Sequence, residues 1–197
     1  KKWAPEENRP GWLEGNIVVA PEGELVNILR LNFLEGCKAA MIHINNNGKD
    51  LLFNPKKDII EFPGGSKKFT IRYDKKSGLY WSLTNIVPKR DKSLPASLHR
   101  NTLALISSPD LKNWKIQSII LYHPDIKNHG FQYIDWLFEE DDIIFVSRTA
   151  NDDGLVGAHR QHDANYLTFH RIQDFRNRTI IEKVLNEPPE TSPAYSN

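Results

Sequence analysis

Four histidines, His123, His129, His159 and His162, crowd into one stretch of the sequence, with Asp135 and Asp163 among them. Imidazoles and carboxylates are zinc donors, but zinc wants three or four ligands converging on one point, and no His-x-x-x-His helix or equivalent frame is visible. The pattern reads as hydrogen-bonded loop histidines, or as contacts to ligand hydroxyls, with no metal. Arg148 lies late in a strand and is a candidate anion contact, with an ion pair to Asp152 or Asp153 as the simpler alternative. Gly64-Gly65-Ser66-Lys67-Lys68 has the composition of a phosphate loop. It precedes a strand rather than a helix, so the helix dipole and amide nest that such loops need are missing.

These residues need a scaffold, and the scaffold is strand after strand. Short β-branched and aromatic runs are cut by Gly, Pro, Asn and Asp clusters, and no window of a dozen residues keeps a helical period. The runs pair as hairpins: 16–20 with 25–33, 38–45 with 51–53, 68–73 with 79–86, and 102–107 with 114–122. Phe131 to Phe138 pairs with Ile143 to Ser147 across an acidic turn, and 165–171 with 180–185 closes the set. The hairpins themselves come in pairs, so a four-strand unit recurs every 50–60 residues or so, the sequence sign of β-propeller blades. The expected fold is all-β, with about three four-stranded antiparallel blades over 12–62, 64–122 and 129–186 and a polar tail over 187–197. Closure takes roughly four to eight blades, so complementing amino-terminal blades or a second chain are expected.

Between the third and fourth strands of the second unit stands Ser107-Ser108-Pro109-Asp110-Leu111-Lys112-Asn113-Trp114. It resembles a degenerate Asp-box, the Ser-x-Asp-x-Gly-x-x-Trp turn of sialidase-type propellers, one residue short and without the glycine. The order of polar residues is also similar to the sialidase superfamily. Trp12-Leu13-Glu14-Gly15-Asn16 resembles the stretch in which a glutamate opens an inner strand, and Asn27 to Arg30 the Asn-x-x-Arg that ends the next strand. Arg100-Asn101-Thr102 resembles the segment carrying another arginine of the triad that grips the substrate carboxylate. Tyr133-Ile134-Asp135-Trp136 resembles the strand delivering the nucleophilic tyrosine, although Ile134 stands where sialidases commonly have serine.

This resemblance implies a sialidase-like glycoside hydrolase of bacterial type, in its carboxy-terminal part, acting on a terminal acidic sugar by a retaining mechanism. Tyr133 is then the nucleophile and Glu14 its base. A neutral phenol suits an anomeric centre bearing a carboxylate, which would repel an anionic nucleophile. Arg30 and Arg100 would grip that carboxylate, because a planar guanidinium binds it bidentately and stays ionised. Arg148, Asp135, His129 and His162 are further substrate-binding candidates, and Trp12, Trp81 and Trp136 either stack on a sugar face or fill the core. The superfamily's acid/base aspartate and first triad arginine fall in blades outside this sequence. A non-catalytic glycan-binding propeller and a lyase of acidic polysaccharides stay open as alternatives.

Composition sets the outer limits. In 197 residues, 26 basic side chains balance 25 acidic ones, which gives no reason to expect nucleic acid as a partner. The apolar runs are too short to span a bilayer. One cysteine, Cys37, excludes a disulfide framework and a multi-cysteine zinc site. No cofactor is implied, and a secreted or periplasmic location is expected. The opening Lys-Lys-Trp is read as the start of a processed or excised piece.

Overall fold

A computed structural model describes residues 11–32, 37–88 and 93–179, and it is all-β. The first sheet holds β1 (Trp12–Val19), β2 (Leu25–Leu31), β3 (Lys38–Asn45) and β4 (Asp50–Leu52) in chain order, with β5 (Ile59–Glu61) also pairing with β3. The second holds β6 (Thr70–Asp74), β7 (Leu79–Asn85), β8 (Thr102–Ser108) and β9 (Lys115–Tyr122). The third holds β10 (Gly130–Glu139), β11 (Asp142–Ala150) and β12 (Tyr166–Ile172). All pairings are antiparallel, and apart from β5 the strands run as meanders, as the hairpin pattern indicates. The expected strand over 180–185 and the tail over 187–197 lie outside the described residues. Among the described residues, no helix is long and apolar enough to cross a membrane.

The second sheet is the middle of the stack, and its sequence shows why. Side chains alternate across a strand with period two, so a strand buried on both faces must be apolar or internally satisfied throughout. All seven residues of β8 are buried. Ala104 and Ile106 face the first sheet, packing with Val26, Ile28 and Met41; Leu103 and Leu105 face the third, packing with Phe131, Trp136 and Phe145. Tyr80 and Trp81 divide the same way on β7. Each large apolar side chain so buried contributes on the order of 1.5–3 kcal/mol.

The first strand of each sheet is an edge, and side chains from the neighbouring sheets bond to the backbone edges of β6 and β10. Asn16 on β1 donates to the Phe69 carbonyl at 2.9 Å and accepts from the Ile71 amide at 3.1 Å. Arg72 Nε on β6 donates to the Trp136 carbonyl at 2.7 Å, while Trp136 Nε1 donates to the Thr70 carbonyl at 3.1 Å. Paired edges of this kind do not template aggregation, and they hold β1, β6 and β10 side by side. Arg176 adds a bidentate pair to Asp74 at 2.7 and 2.9 Å, tying the third sheet to the second. Those guanidinium bonds, helped by Ser77 and Lys76, hold the Asp74 carboxyl well below the usual carboxylate range.

The Asp-box-like turn behaves as its residue types require. Asp110 Oδ1 accepts from the Lys112 amide at 2.9 Å and the Asn113 amide at 2.7 Å. Burial pushes the Asp110 carboxyl up, but the bonds from Asn113, Lys112 and Ser108 outweigh it and bring it to about 2. Leu111 takes the left-handed backbone, at φ +66°, and buries its side chain completely. Trp114 donates Nε1 to the Leu111 carbonyl at 2.9 Å and packs on Phe62, the ring centroids 4.8 Å apart, between the first and second sheets.

The two ends of the stack remain apolar. On β1, Asn16 and Val18 face the second sheet, so Ile17 and Val19 face away from it, 66% and 56% exposed. Leu167 and Phe169 on β12 are 73% and 65% exposed. Trp81 and Trp136 are core residues; Trp12 lies edge-on against Phe53 and is partly exposed.

Candidate functional site

In an antiparallel meander the start of the first strand, the end of the second and the start of the third share one end of the sheet. Glu14 and Tyr133 lie early in first strands; Arg30 and Arg148 lie late in second strands; Lys67, Arg100 and His162 precede β6, β8 and β12. Strand order alone therefore sends residues far apart in sequence to one rim. Arg30 donates Nη1 to the Glu14 carboxylate at 3.1 and 3.3 Å and Nε to the Ser66 carbonyl at 2.7 Å. Arg148 places its guanidinium 5.0 Å from the centroid of the Tyr133 ring. The Tyr133 hydroxyl is 3.5 Å from His162 Nε2.

Arg100 is the centre of this group. Its carbonyl is fixed by the Asn85 side-chain amide at 3.1 Å and by the Phe131 amide at 2.8 Å. Its side chain is 4% exposed, and Nε is buried without a hydrogen-bond partner. Burial lowers the guanidinium to about 10; Arg30 and Arg148 push the same way, while Tyr133 and Glu14 push back. It remains a cation at neutral pH, and those four influences show that Arg30, Arg100, Arg148, Tyr133 and Glu14 share one electrostatic neighbourhood.

A sixth group is not distinguishable in the sequence. Lys67 is completely buried, and its ammonium donates to the Ala96 carbonyl at 3.2 Å. Burial first, then Arg100 and Arg30, lowers it to about 7. The turn that delivers it is close-packed, since a Cβ on Gly65 would lie 2.2 Å from the Lys38 carbonyl oxygen. The Gly64 to Lys68 stretch is a turn leading into β6, as its sequence indicates. In sequence, nothing separates Lys67 from Lys68 beside it; only the packing does.

Tyr133 sits in a β-bulge. Pairing to β11 jumps from Gln132↔Arg148 to Asp135↔Val146, and Tyr133 takes φ +52°. That conformation costs a non-glycine residue about 1–2 kcal/mol. Its neighbours hold it there: Ile134 is buried in the core, and Gln132 Nε2 donates to the Gln161 carbonyl at 3.1 Å and the His162 carbonyl at 2.7 Å. Gly130 lets this loop approach, because a Cβ there would meet the Gln161 oxygen at 2.5 Å and Arg100 Cβ at 3.0 Å. The bulge turns Tyr133 away from the core and toward His162.

The remaining candidates engage other partners. Asp135 lies 3.5 Å from an Arg72 nitrogen and is largely exposed. His129 is buried, pairs with Asp125 at 3.2 Å and stacks on His123 with centroids 3.5 Å apart. Asp152 faces His129, and Asp153 accepts from the Leu155 and Gly157 amides. Arg148 takes the tyrosine ring instead of either carboxylate. Among the described residues, no group of three or more His, Cys, Asp or Glu side chains is placed to hold a metal ion.

No family model and no curated protein matches the sequence. Solved structures do match in shape. An α-L-arabinanase from Penicillium chrysogenum, complexed with arabinobiose, is 14% identical with a TM-score of 0.54, over 84% of this chain and 47% of that one. An α-L-arabinofuranosidase from Fusarium graminearum, with an iminosugar inhibitor, is 11% identical with a TM-score of 0.55, over 83% and 46%. The fold is that of propeller glycoside hydrolases. The chain spans about half the length of these two structures.

Proposed function

We propose that this chain supplies part of a sialidase-like propeller site for a terminal acidic sugar, with Arg30 and Arg100 binding its carboxylate. One observation carries the reading. Arg100 is 4% exposed and its Nε unpaired, beside further cations and, among the described residues, a single nearby carboxylate, Glu14, which Arg30 already engages. A buried charge left unpaired is strongly destabilising, whereas a carboxylate ligand would both compensate it and bond it bidentately. The carbohydrate-active structures of like fold support a sugar as the carrier of that carboxylate.

On this reading Tyr133 Oη bonds the anomeric carbon as the glycosidic C–O bond breaks. A carboxylic acid from complementing blades protonates the leaving oxygen, and the phenolic proton passes to a base near Tyr133. Water then hydrolyses the tyrosyl intermediate. Secretion or export to a periplasm belongs to the same proposal.

A second reading, non-catalytic glycan binding, is favoured by the two hydrogen bonds that tie Glu14 to Arg30 rather than to the tyrosine hydroxyl. Calorimetric titration with N-acetylneuraminic acid and with arabinose tests the shared part of both readings. Arg100→Lys should weaken the acidic sugar at least tenfold and leave the neutral one unchanged, because bidentate geometry is lost. Equal loss for both, or no preference in the wild type, removes the anion grip. Hydrolysis of a 4-methylumbelliferyl sialoside then separates enzyme from binding module.

A further inference from the structure

We infer that His162, backed by Asp163, is the base that takes the Tyr133 hydroxyl proton. This rests on the reading of Tyr133 as nucleophile and changes the residue that activates it. Glu14, the base implied by sequence, has its carboxylate engaged by Arg30 at 3.1 and 3.3 Å. The tyrosine hydroxyl instead has His162 Nε2 at 3.5 Å, with the two rings edge-on at 80°.

The rest of the loop is arranged for that contact. Gln132, completely buried and directly before Tyr133, grips the carbonyls of Gln161 and His162, so hydroxyl and imidazole are fixed by adjacent residues of one strand. On the far side of the imidazole, His162 Nδ1 lies 3.5 Å from Asp163 Oδ1, and Arg160 Nε holds the other Asp163 oxygen at 2.9 Å. Both His162 contacts are long, as catalytic hydrogen bonds often are without ligand.

The chemistry follows from this order. A phenol whose ordinary pKa is near 10 needs a base within reach to act as a nucleophile at neutral pH. Imidazole can accept at Nε2 only in its neutral Nδ1–H form, and a carboxylate beside Nδ1 favours that tautomer and the imidazolium that follows. The O–H proton moves to Nε2, leaving an imidazolium between Asp163 and a phenolate. Arg148, over the ring at 5.0 Å, stabilises the negative charge as it develops. Among the described residues, the charged and titratable groups at this contact are thus Tyr133 from β10, with Arg148 from β11 over its ring, and Asp163 and Arg160 from the loop that carries His162.

Long-range proton–nitrogen correlation spectra of the nitrogen-15-labelled chain test the contact without turnover. Neutral His162 should be mainly the Nδ1–H tautomer, shifting severalfold toward Nε2–H in Asp163→Asn and in Tyr133→Phe. A wild-type His162 that is mainly Nε2–H, or a tautomer ratio unmoved by Tyr133→Phe, overturns the inference. In the complete protein acting on a 4-methylumbelliferyl sialoside, His162→Gln should lower kcat by about 10²–10⁴-fold with little change in KM. It should also remove the acidic limb of the pH–rate profile. A larger kcat loss in Glu14→Gln than in His162→Gln returns the base to Glu14 and refutes the proposal. If the wild type turns over no acidic glycoside, the nucleophile reading fails, and the tautomer ratio alone decides whether Tyr133 and His162 are coupled.

Discussion

Lys67→Met isolates the contribution of a buried cation. Lys67 is completely buried with its ammonium on one carbonyl, and its pKa falls from 10.5 to about 7 on folding, through burial and then Arg100 and Arg30. The sign follows from proton counting: between about pH 7 and 10.5 the unfolded chain holds a proton that the folded chain has released, so stability rises with pH. At about 1.4 kcal/mol per pH unit once the folded amine has titrated, the wild type should gain about 2 kcal/mol between pH 7 and pH 9. Methionine fills a similar volume without charge, so Lys67→Met should lose this slope and exceed the wild type at pH 7 by about 1–4 kcal/mol. Urea unfolding of both proteins at pH 7, 8 and 9 measures this directly. Parallel pH slopes, or a less stable variant at pH 7, would refute the reasoning. The same coupling predicts that an acidic sugar beside Arg100 returns a proton to Lys67, seen as buffer-dependent binding heat that Lys67→Met abolishes.

Asp110→Ala should cost about 1–2 kcal/mol by freeing the turn amides of Lys112 and Asn113. Because the folded carboxyl lies at about 2 rather than 3.8, that stability is present above pH 3.8 and lost as pH falls toward 2; acid unfolding of wild type and variant should therefore converge. Gly130→Ala should weaken acidic-sugar binding more than it lowers Tm, since its Cβ meets the Gln161 oxygen and Arg100 Cβ; unchanged affinity would show that the loop yields freely. Ile17→Lys with Phe169→Lys should reduce self-association in sedimentation velocity, because both stand on apolar outer faces. A wild type that is already a monodisperse monomer with a high melting temperature would argue against complementing blades.

The blades were legible because hairpins are local. Short apolar and aromatic runs such as 102–108 and 131–138, with turn residues between them, set strands and their order, and strand order sends Glu14, Arg30, Arg100 and Tyr133 to one rim. The short β5 escaped notice because three residues carry too little alternation to separate from a turn. The pairing of side chains within the rim was not legible for a different reason. Glu14 can turn to Arg30 or toward Tyr133 by rotamer alone, and the bulge that aims Tyr133 at His162 depends on Gln132 reaching a loop about thirty residues away. Neither leaves a period in the sequence.

The same geometry explains why cations collect at this rim. The middle sheet is buried on both faces, so the turns entering its strands are covered by neighbouring sheets, and whatever side chains those turns carry are taken out of water. Lys67 precedes β6 and Arg100 precedes β8, and both are buried through that covering rather than through an apolar environment of their own choosing. A fold selected for stability alone would place carboxylates beside them, as it does for Arg176 with Asp74, where guanidinium and carboxylate meet bidentately. At the rim the one nearby carboxylate among the described residues, Glu14, goes to Arg30, and Arg100 keeps an unbonded Nε. The contrast between a satisfied arginine and an unsatisfied one in the same small structure is the physical argument for an anion that arrives from outside.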